Sequence, residues 1–211
     1  MKNLILDCSC GMNVYVQFDE KVFSKIDATQ NKHTDEILKV VDELLKEAKL
    51  NIKQIDNICV CVGPGSFTGV RVAISIAKGL SLGTKAKVFV LSNFDVFDVQ
   101  DKTCHLVLDG FSDFIYVRTV ENESVKDECL SVEDFANKQK ETKFNVYVTT
   151  EKAQNMLKRF EIQSLFAQNN IISAFNKKIE TKENSELNQI YPVYLRASQA
   201  EIERAKKLGV N

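Results

Sequence analysis

The chain has 211 residues, with 28 Lys and Arg against 29 Asp and Glu, 44% apolar residues, 8 Gly, 2 Pro, 6 Cys and no Trp. These fractions belong to a folded chain of one or two domains, and no apolar run approaches the ~20 residues of a membrane helix, which excludes wholesale disorder and a membrane-spanning helix. Charge is balanced in both halves, 12 basic against 12 acidic in 1–100 and 16 against 17 in 101–211, so there is no basic surplus for holding nucleic acid unaided, and any contact with RNA is shared with a partner.

The apolar run Leu4-Ile5-Leu6 is cut by Asp7 and is too short for the core of a secretory signal. A cytoplasmic protein with reduced thiols is therefore expected. Leu4 to Asp7 reads as a buried strand ending on a carboxylate. Gly11 permits a turn, Val14 to Phe18 reads as the returning strand, and Val22 to Ala28 as a third, so the opening is antiparallel.

Thr34 to Ala48 reads as a helix. Its apolar residues Ile37, Leu38, Val40, Val41, Leu44, Leu45 and Ala48 cover roughly 160° at the helical period, wider than packing on one sheet requires. Thr34 or its predecessor caps the start, and Asp35 and Glu36 suit the positive end of the dipole. Ile58 to Val62 is apolar throughout, the pattern of a parallel strand covered on both faces.

That strand runs into Gly63-Pro64-Gly65-Ser66-Phe67-Thr68-Gly69 and a second helix over 67–82, apolar on nearly every side. Gly69, Ala73 and Ala77 recur at intervals of four on it, a ridge that lets another helix approach closely. A helix of this kind must be covered on every side, by its own fold or by a partner. An open patch built from both helices would be too large for a monomer. Val88 to Leu91 is the next strand.

In the second half, Cys104 to Asp109 and Phe114 to Val120 read as a hairpin about Gly110. Ser131 to Asp134 caps a helix, Phe144 to Val148 is a strand, and Glu151 to Phe160 a helix. Residues 176–188 read as a polar loop, and 191–196 as a short extended segment. The strand–Asp–turn–strand pattern at 4–18 returns at 104–120, which suggests a duplicated fold.

Glycines between a strand and a helix can aim backbone N–H groups at an anion. The loop 63–69 lacks the Lys of a Walker loop, is one residue longer than the dinucleotide fingerprint, and has Pro64 and Thr68 where a nucleophile elbow needs Gly. A structural turn and a phosphate-contacting loop both stand for Gly63, Gly65 and Ser66. Asp7 with Ser9, and Asp109 before Gly110, each read either as a turn-capping acid or as a holder of a hydrated metal beside phosphate. Cys8/Cys10 and Cys59/Cys61 are spaced too closely for a structural zinc site and read as small buried hydrophobes. Neither His33 nor His105 has a zinc-binding register, so neither is expected to hold a metal.

Asp7 with its turn, His33-Thr34 opening a helix that ends near Leu44-Leu45, the string from Gly63 to Arg71 leading into Ala77-Lys78-Gly79-Leu80, and Pro192 to Arg196 resemble the TsaB (YeaZ) family. The likeness runs over 1–100 and resumes at 191–196. It implies an α/β fold of two RNase H-like subdomains of the actin, sugar-kinase and heat-shock ATPase superfamily. In that fold mixed sheets carry helices on both faces, and the second subdomain is reduced. The expected division is 1–100 and 101–211.

The resemblance also implies a role in making threonylcarbamoyladenosine beside the tRNA anticodon. The chain would be the non-catalytic partner of the transferase TsaD, joined by the ATPase TsaE, with tRNA bound only within the complex. Pairing, including a homodimer of the isolated chain, would use the first two helices through His33, Thr34, Ile37, Leu38, Val41, Leu44, Gly69, Val72, Ala73, Ile76 and Ala77. No tightly bound cofactor is implied beyond ATP or ADP at a subunit interface.

Two departures from what the resemblance implies bear on chemistry: catalytic members of the superfamily branch carry an H-x-x-x-H metal pair where Leu91 to Phe97 has none, and relatives often have Asp-Ala-Arg where this chain has Asp109-Gly110-Phe111. Competing expectations are an independent ATP-using enzyme of the sugar-kinase type, with Asp7, the glycine loop and Asp109 about the nucleotide, and a glycoprotease-like hydrolase.

Overall fold

The computed structural model describes residues 1–27 and 36–196. The chain forms two compact units, 1–95 with 171–193 and 96–170 with 194–211.

In the first unit, β1 (Lys2–Asp7), β2 (Met12–Phe18) and β3 (Lys21–Asp27) form an antiparallel meander, with Leu4 opposite Val16 and Val14 opposite Lys25. After α1 (Ile37–Glu47), β4 (Asn57–Cys61) lies parallel to β1. After α2 (Phe67–Thr84), β5 (Lys87–Leu91) lies parallel to β4. The sheet order is β3-β2-β1-β4-β5. Alternation along the strands turns Leu4, Leu6, Val14, Val16, Ile58 and Val60 to the face covered by α1 and α2. β4 is buried at all five positions because its other face is covered as well.

The second unit repeats the plan. β7 (Thr103–Asp109), β8 (Phe114–Glu121) and β9 (Ser124–Ser131) form a meander. α3 (Val132–Thr142), β10 (Asn145–Val148), α4 (Glu151–Lys158) and β11 (Leu165–Phe166) follow. The sheet order is β11-β10-β7-β8-β9, so each element has its counterpart in the first unit. β6 (Phe97–Asp98) and β12 (Gln168–Asn169) form a small antiparallel ribbon. The reduction is visible in length: α4 has 8 residues where α2 has 18, and β11 has only 2. Phe135, Ala153 and Leu157 from the helices cover Val107, Ile115, Val117, Val146 and Val148.

Two expectations are corrected. Residues 171–180 form helix α5 (Ile171–Glu180) rather than the start of a polar loop at 176. Ile171 and Phe175 recur at helical spacing and are buried, with the Phe175 ring 5.6 Å from Phe89 on β5. That packing also breaks the division at residue 100, since the chain returns to the first unit for 171–193. In the segment 191–196, Val193 N–H donates to Val62 O at 2.8 Å. The sequence reading passed over β9 altogether, because its Lys126, Asp127 and Glu128 look like solvated chain.

Candidate functional site

The turn after β1 is held by its own carboxylate. Asp7 Oδ1 accepts from Ser9 N–H at 3.0 Å and from Ser9 Oγ at 2.6 Å, and Oδ2 accepts from Asn13 Nδ2 at 3.4 Å. The glycine loop docks on the same turn. Ser66 N–H donates to Ser9 O at 2.7 Å. Asn93, which the sequence reading overlooked, clamps the two segments, its Nδ2 donating to Ser9 Oγ at 2.5 Å and to Pro64 O at 2.8 Å. Ser66 caps α2, its Oγ accepting from Gly69 N–H at 3.2 Å.

A Cβ on Gly65 would lie 2.5 Å from Ser9 O, and one on Gly69 1.9 Å from Cys8 O. Close approach of main chain to main chain therefore explains both glycines. That contact accounts for Gly65 and Gly69 as parts of a structural turn. Asp7, Ser9, Gly63, Gly65 and Ser66 are thus brought together. Asp109 belongs to the second unit, where it accepts from Thr150 Oγ1 at 2.9 Å and pairs with Lys152 at 2.9 Å. Its carboxylate steadies the start of α4, which Thr150 caps at Ala153 N–H.

The thiols near this turn are protonated. Burial, with the Asp7 charge second, pushes Cys8 up to about 12. Burial and then Asp7 also raise Cys59 and Cys61 well above the ordinary thiol value. Among the described residues no cluster of three or more His, Cys, Asp or Glu is placed to hold a metal ion. His105 is wholly buried between the rings of Phe135 and Phe144, with Nδ1 3.1 Å from Thr119 Oγ1 and Nε2 3.0 Å from Thr142 Oγ1. Desolvation, helped by the Lys138 ammonium, lowers its pKa to about 4.

The two helices differ from what the sequence suggests. Ile37, Val41 and Leu44 of α1 and Gly69, Ala73 and Ala77 of α2 are all buried in the chain's own fold. As contact residues for a partner these six are corrected: the wide arc of α1 is consumed by β2, β3 and the segment through Leu50 and Ile52. The open face of α1 is polar, with ion pairs Lys39–Glu43 and Lys46–Asp42, apart from Leu38, which is 54% exposed. His33 and Thr34 lie outside the described residues.

On α2 an open face of mixed character, with small and apolar residues beside polar ones, does exist, rotated from the expected ridge. Thr68, Arg71, Ser75, Gly79 and Gly83 are exposed, Val72 and Ile76 are half-buried, and Leu82 is 76% exposed. A Cβ added at Gly79 or Gly83 would meet nothing within 4 Å. The sequence carried a signal for this face: glycines inside a helix at spacing four, beside Val72 and Ile76 at the same spacing.

A family model described as TsaD, tRNA N6-adenosine threonylcarbamoyltransferase, matches residues 21–124. Curated TsaB proteins are similar over parts of the chain. That of Buchnera aphidicola subsp. Schizaphis graminum is 32% identical over 87 residues, 41% of this chain and 40% of the relative. The Escherichia coli K12 protein is 35% identical over 93 residues, 44% of this chain and 40% of the relative. The Haemophilus influenzae protein is 45% identical over 64 residues, 30% of this chain and 27% of the relative. The matched stretch thus spans less than half the length of these relatives.

Among solved structures, a Pseudomonas aeruginosa protein described as similar to the peptidase YeaZ superposes with a TM-score of 0.74 at 21% identity, covering 92% of this chain and 99% of that one. A second P. aeruginosa structure, titled YeaZ, gives a TM-score of 0.71 at the same identity and coverage. These two show the fold. The repeated sheet plan, the glycine loop docked on the Asp7 turn and these likenesses make the chain similar to the proteins of the TsaB (YeaZ) family.

Proposed function

We propose that the chain is a non-catalytic scaffold subunit of tRNA threonylcarbamoyladenosine biosynthesis, docking on and activating a TsaD-like catalytic paralogue. The open face of α2 carries this reading. Gly79 costs the helix interior about 1 kcal/mol relative to Ala, and Gly83 in the last turn costs less. Among the described residues nothing occupies the space a side chain would take at either. A second helix that must approach closely gives them a purpose, and Val72, Ile76 and Leu82 supply the apolar flanks. Leu38 is the residue of α1 that remains available to such a partner.

In this reading the catalytic chemistry belongs to the paralogue, which fits a stretch from Leu91 to Phe97 without histidine. A TsaE-like ATPase joins the assembly. The balanced charge of the chain fits tRNA held by the complex rather than by this subunit alone. ATP or ADP, in this reading, binds at a seam between subunits.

The test mixes the full chain with its TsaD-like paralogue and follows mass by light scattering. A complex forms, and Gly79→Glu and Leu82→Glu each abolish it while leaving the unfolding midpoint close to that of the parent. Absence of a complex, or a complex indifferent to both substitutions, would refute the reading. An assay of tRNA modification with and without the chain reports the activation.

A further inference from the structure

In the second unit, β9, β10 and β11 all run in the direction of β7. α3 connects β9 to β10 and α4 connects β10 to β11. Both helices therefore run back against β10 and both end beside its first residues. α4 stops after 8 residues, where α2 has 18. A groove of about 880 Å³ opens between the ends of the two helices, over the start of β10 and beside residues 160–165.

Part of its lining is apolar. Ala136, Val146 and Ile162 are buried, Phe144 is half-buried, and Phe160, 38% exposed, adds a second ring. The polar groups beside them are short of partners. Among the described residues the side chains of Gln154 and Gln163 make no hydrogen bond. Ser164 Oγ is buried without a partner, a deficit that native folds rarely leave and that a ligand's donor or acceptor makes good.

Two cations stand on the lining, Lys140 in the last turn of α3 and Lys158 at the end of α4. Other cations of these elements are already paired: Lys138 with Glu128, Lys152 with Asp109 and Arg159 with Asp113. Lys140 Nζ reaches only Asn137 Oδ1, at 3.4 Å, and Lys158 has no such pair among the described residues. Glu161 is the acid of the lining and pairs with neither. Asp101, next to Asn145, is taken up by Asn145 and Tyr147. Packed helices lie about 8–10 Å apart, a gap that two lysine side chains close over a single anion. Both helices turn their negative ends here, so the ammonium groups alone hold such an anion. We propose that this groove binds a small aromatic anion, its ring on the apolar lining and one carboxylate or phosphate between Lys140 and Lys158. Gln154 and Gln163 supply the few polar contacts that orient a ligand, and the volume is that of small-molecule sites. The groove lies within the second unit and does not depend on the scaffold reading.

Titration of the full chain with naphthylacetate, naphthyl phosphate and the neutral naphthylmethanol, followed by amide NMR, tests this. At least one of the two anions is expected to bind with a Kd of about 0.1–1 mM and to shift the amides of Phe144, Val146 and Ser164. The neutral alcohol is expected to bind about tenfold more weakly, because it lacks the charge-assisted bonds. The tighter of the two anions identifies the head group. Lys140→Gln combined with Lys158→Gln changes two exposed residues and keeps the fold, and it is expected to bring the anion's affinity down to that of the alcohol. Shifts confined to residues outside the groove, equal affinity for the alcohol and both anions, or an anion that binds the double variant as tightly as the parent would overturn the proposal.

Discussion

A side-chain carbon on Gly69 would lie 1.9 Å from the carbonyl oxygen of Cys8, so the first turn of α2 rests directly on the main chain that follows β1. Neither backbone can move aside without disturbing the Ser66 cap or the Asp7 turn. Gly69→Ala is therefore expected to destabilise the chain by about 3 kcal/mol, the upper part of the range for overpacking. Urea unfolding measures it, and a loss below 1 kcal/mol would mean that the loop and the turn are not in contact in solution.

The opposite sign is expected further along the same helix. Gly79→Ala and Gly83→Ala each add a methyl group to open space and should stabilise the isolated chain by about 0.5–1 kcal/mol. Thermal unfolding should rise by roughly 2–4 °C per kcal/mol for a chain of this size. A fall would show that these positions are packed.

The polar network about His105 makes the second unit sensitive to acid. Its folded pKa, about 4, lies below the ordinary 6.5 because burial disfavours the imidazolium and the Lys138 ammonium adds to that. Between those values the unfolded chain binds the extra proton. The contribution of neutral His105 is thus complete above pH 6.5, declines as pH falls toward 4 and is constant below. Unfolding midpoints at pH 7 and pH 4.5 should differ by less in His105→Gln than in the parent; equal slopes would contradict the burial of a neutral ring.

Much of this was legible in the sequence, and the failures share a cause. The all-apolar run at 58–62 predicts β4 to within a residue, because burial on both faces leaves no polar position to confuse the pattern, and the second helix is predicted at 67–82 against 67–84. The Asp7 and Asp109 turns reveal the duplicated plan because each carboxylate holds the turn that ends a buried strand. β9 escaped because an edge strand exposed along much of its length carries Lys126, Asp127 and Glu128 like a loop. α5 escaped because only Ile171 and Phe175 of its ten residues are buried. The contact residues assigned to α1 and to the Gly69 ridge were misplaced because helical spacing gives the width of an apolar arc without saying which part the chain's own sheet occupies. Asn93 left no signal at all, since its clamp on Ser9 and Pro64 joins segments far apart in sequence.

The thiols should divide by burial. Cys10 is exposed, whereas Cys8, Cys59 and Cys61 are buried and their pKa values raised. A thiol reagent at pH 8 should modify Cys10 in the native chain and reach the other three only after unfolding, because the reactive thiolate is scarce and screened. Mass spectrometry of the labelled peptides identifies the sites, and rapid native labelling of Cys59 or Cys61 would refute the packing of β4.

The scaffold reading is tested most directly by one double substitution, Gly79→Ala with Gly83→Ala, measured for stability and for binding of the TsaD-like paralogue by calorimetry. The account predicts a higher unfolding temperature together with an affinity at least about tenfold weaker, roughly 1.4 kcal/mol, as two methyl groups hold the partner helix away. A more stable chain that binds the paralogue as tightly as the parent would contradict it.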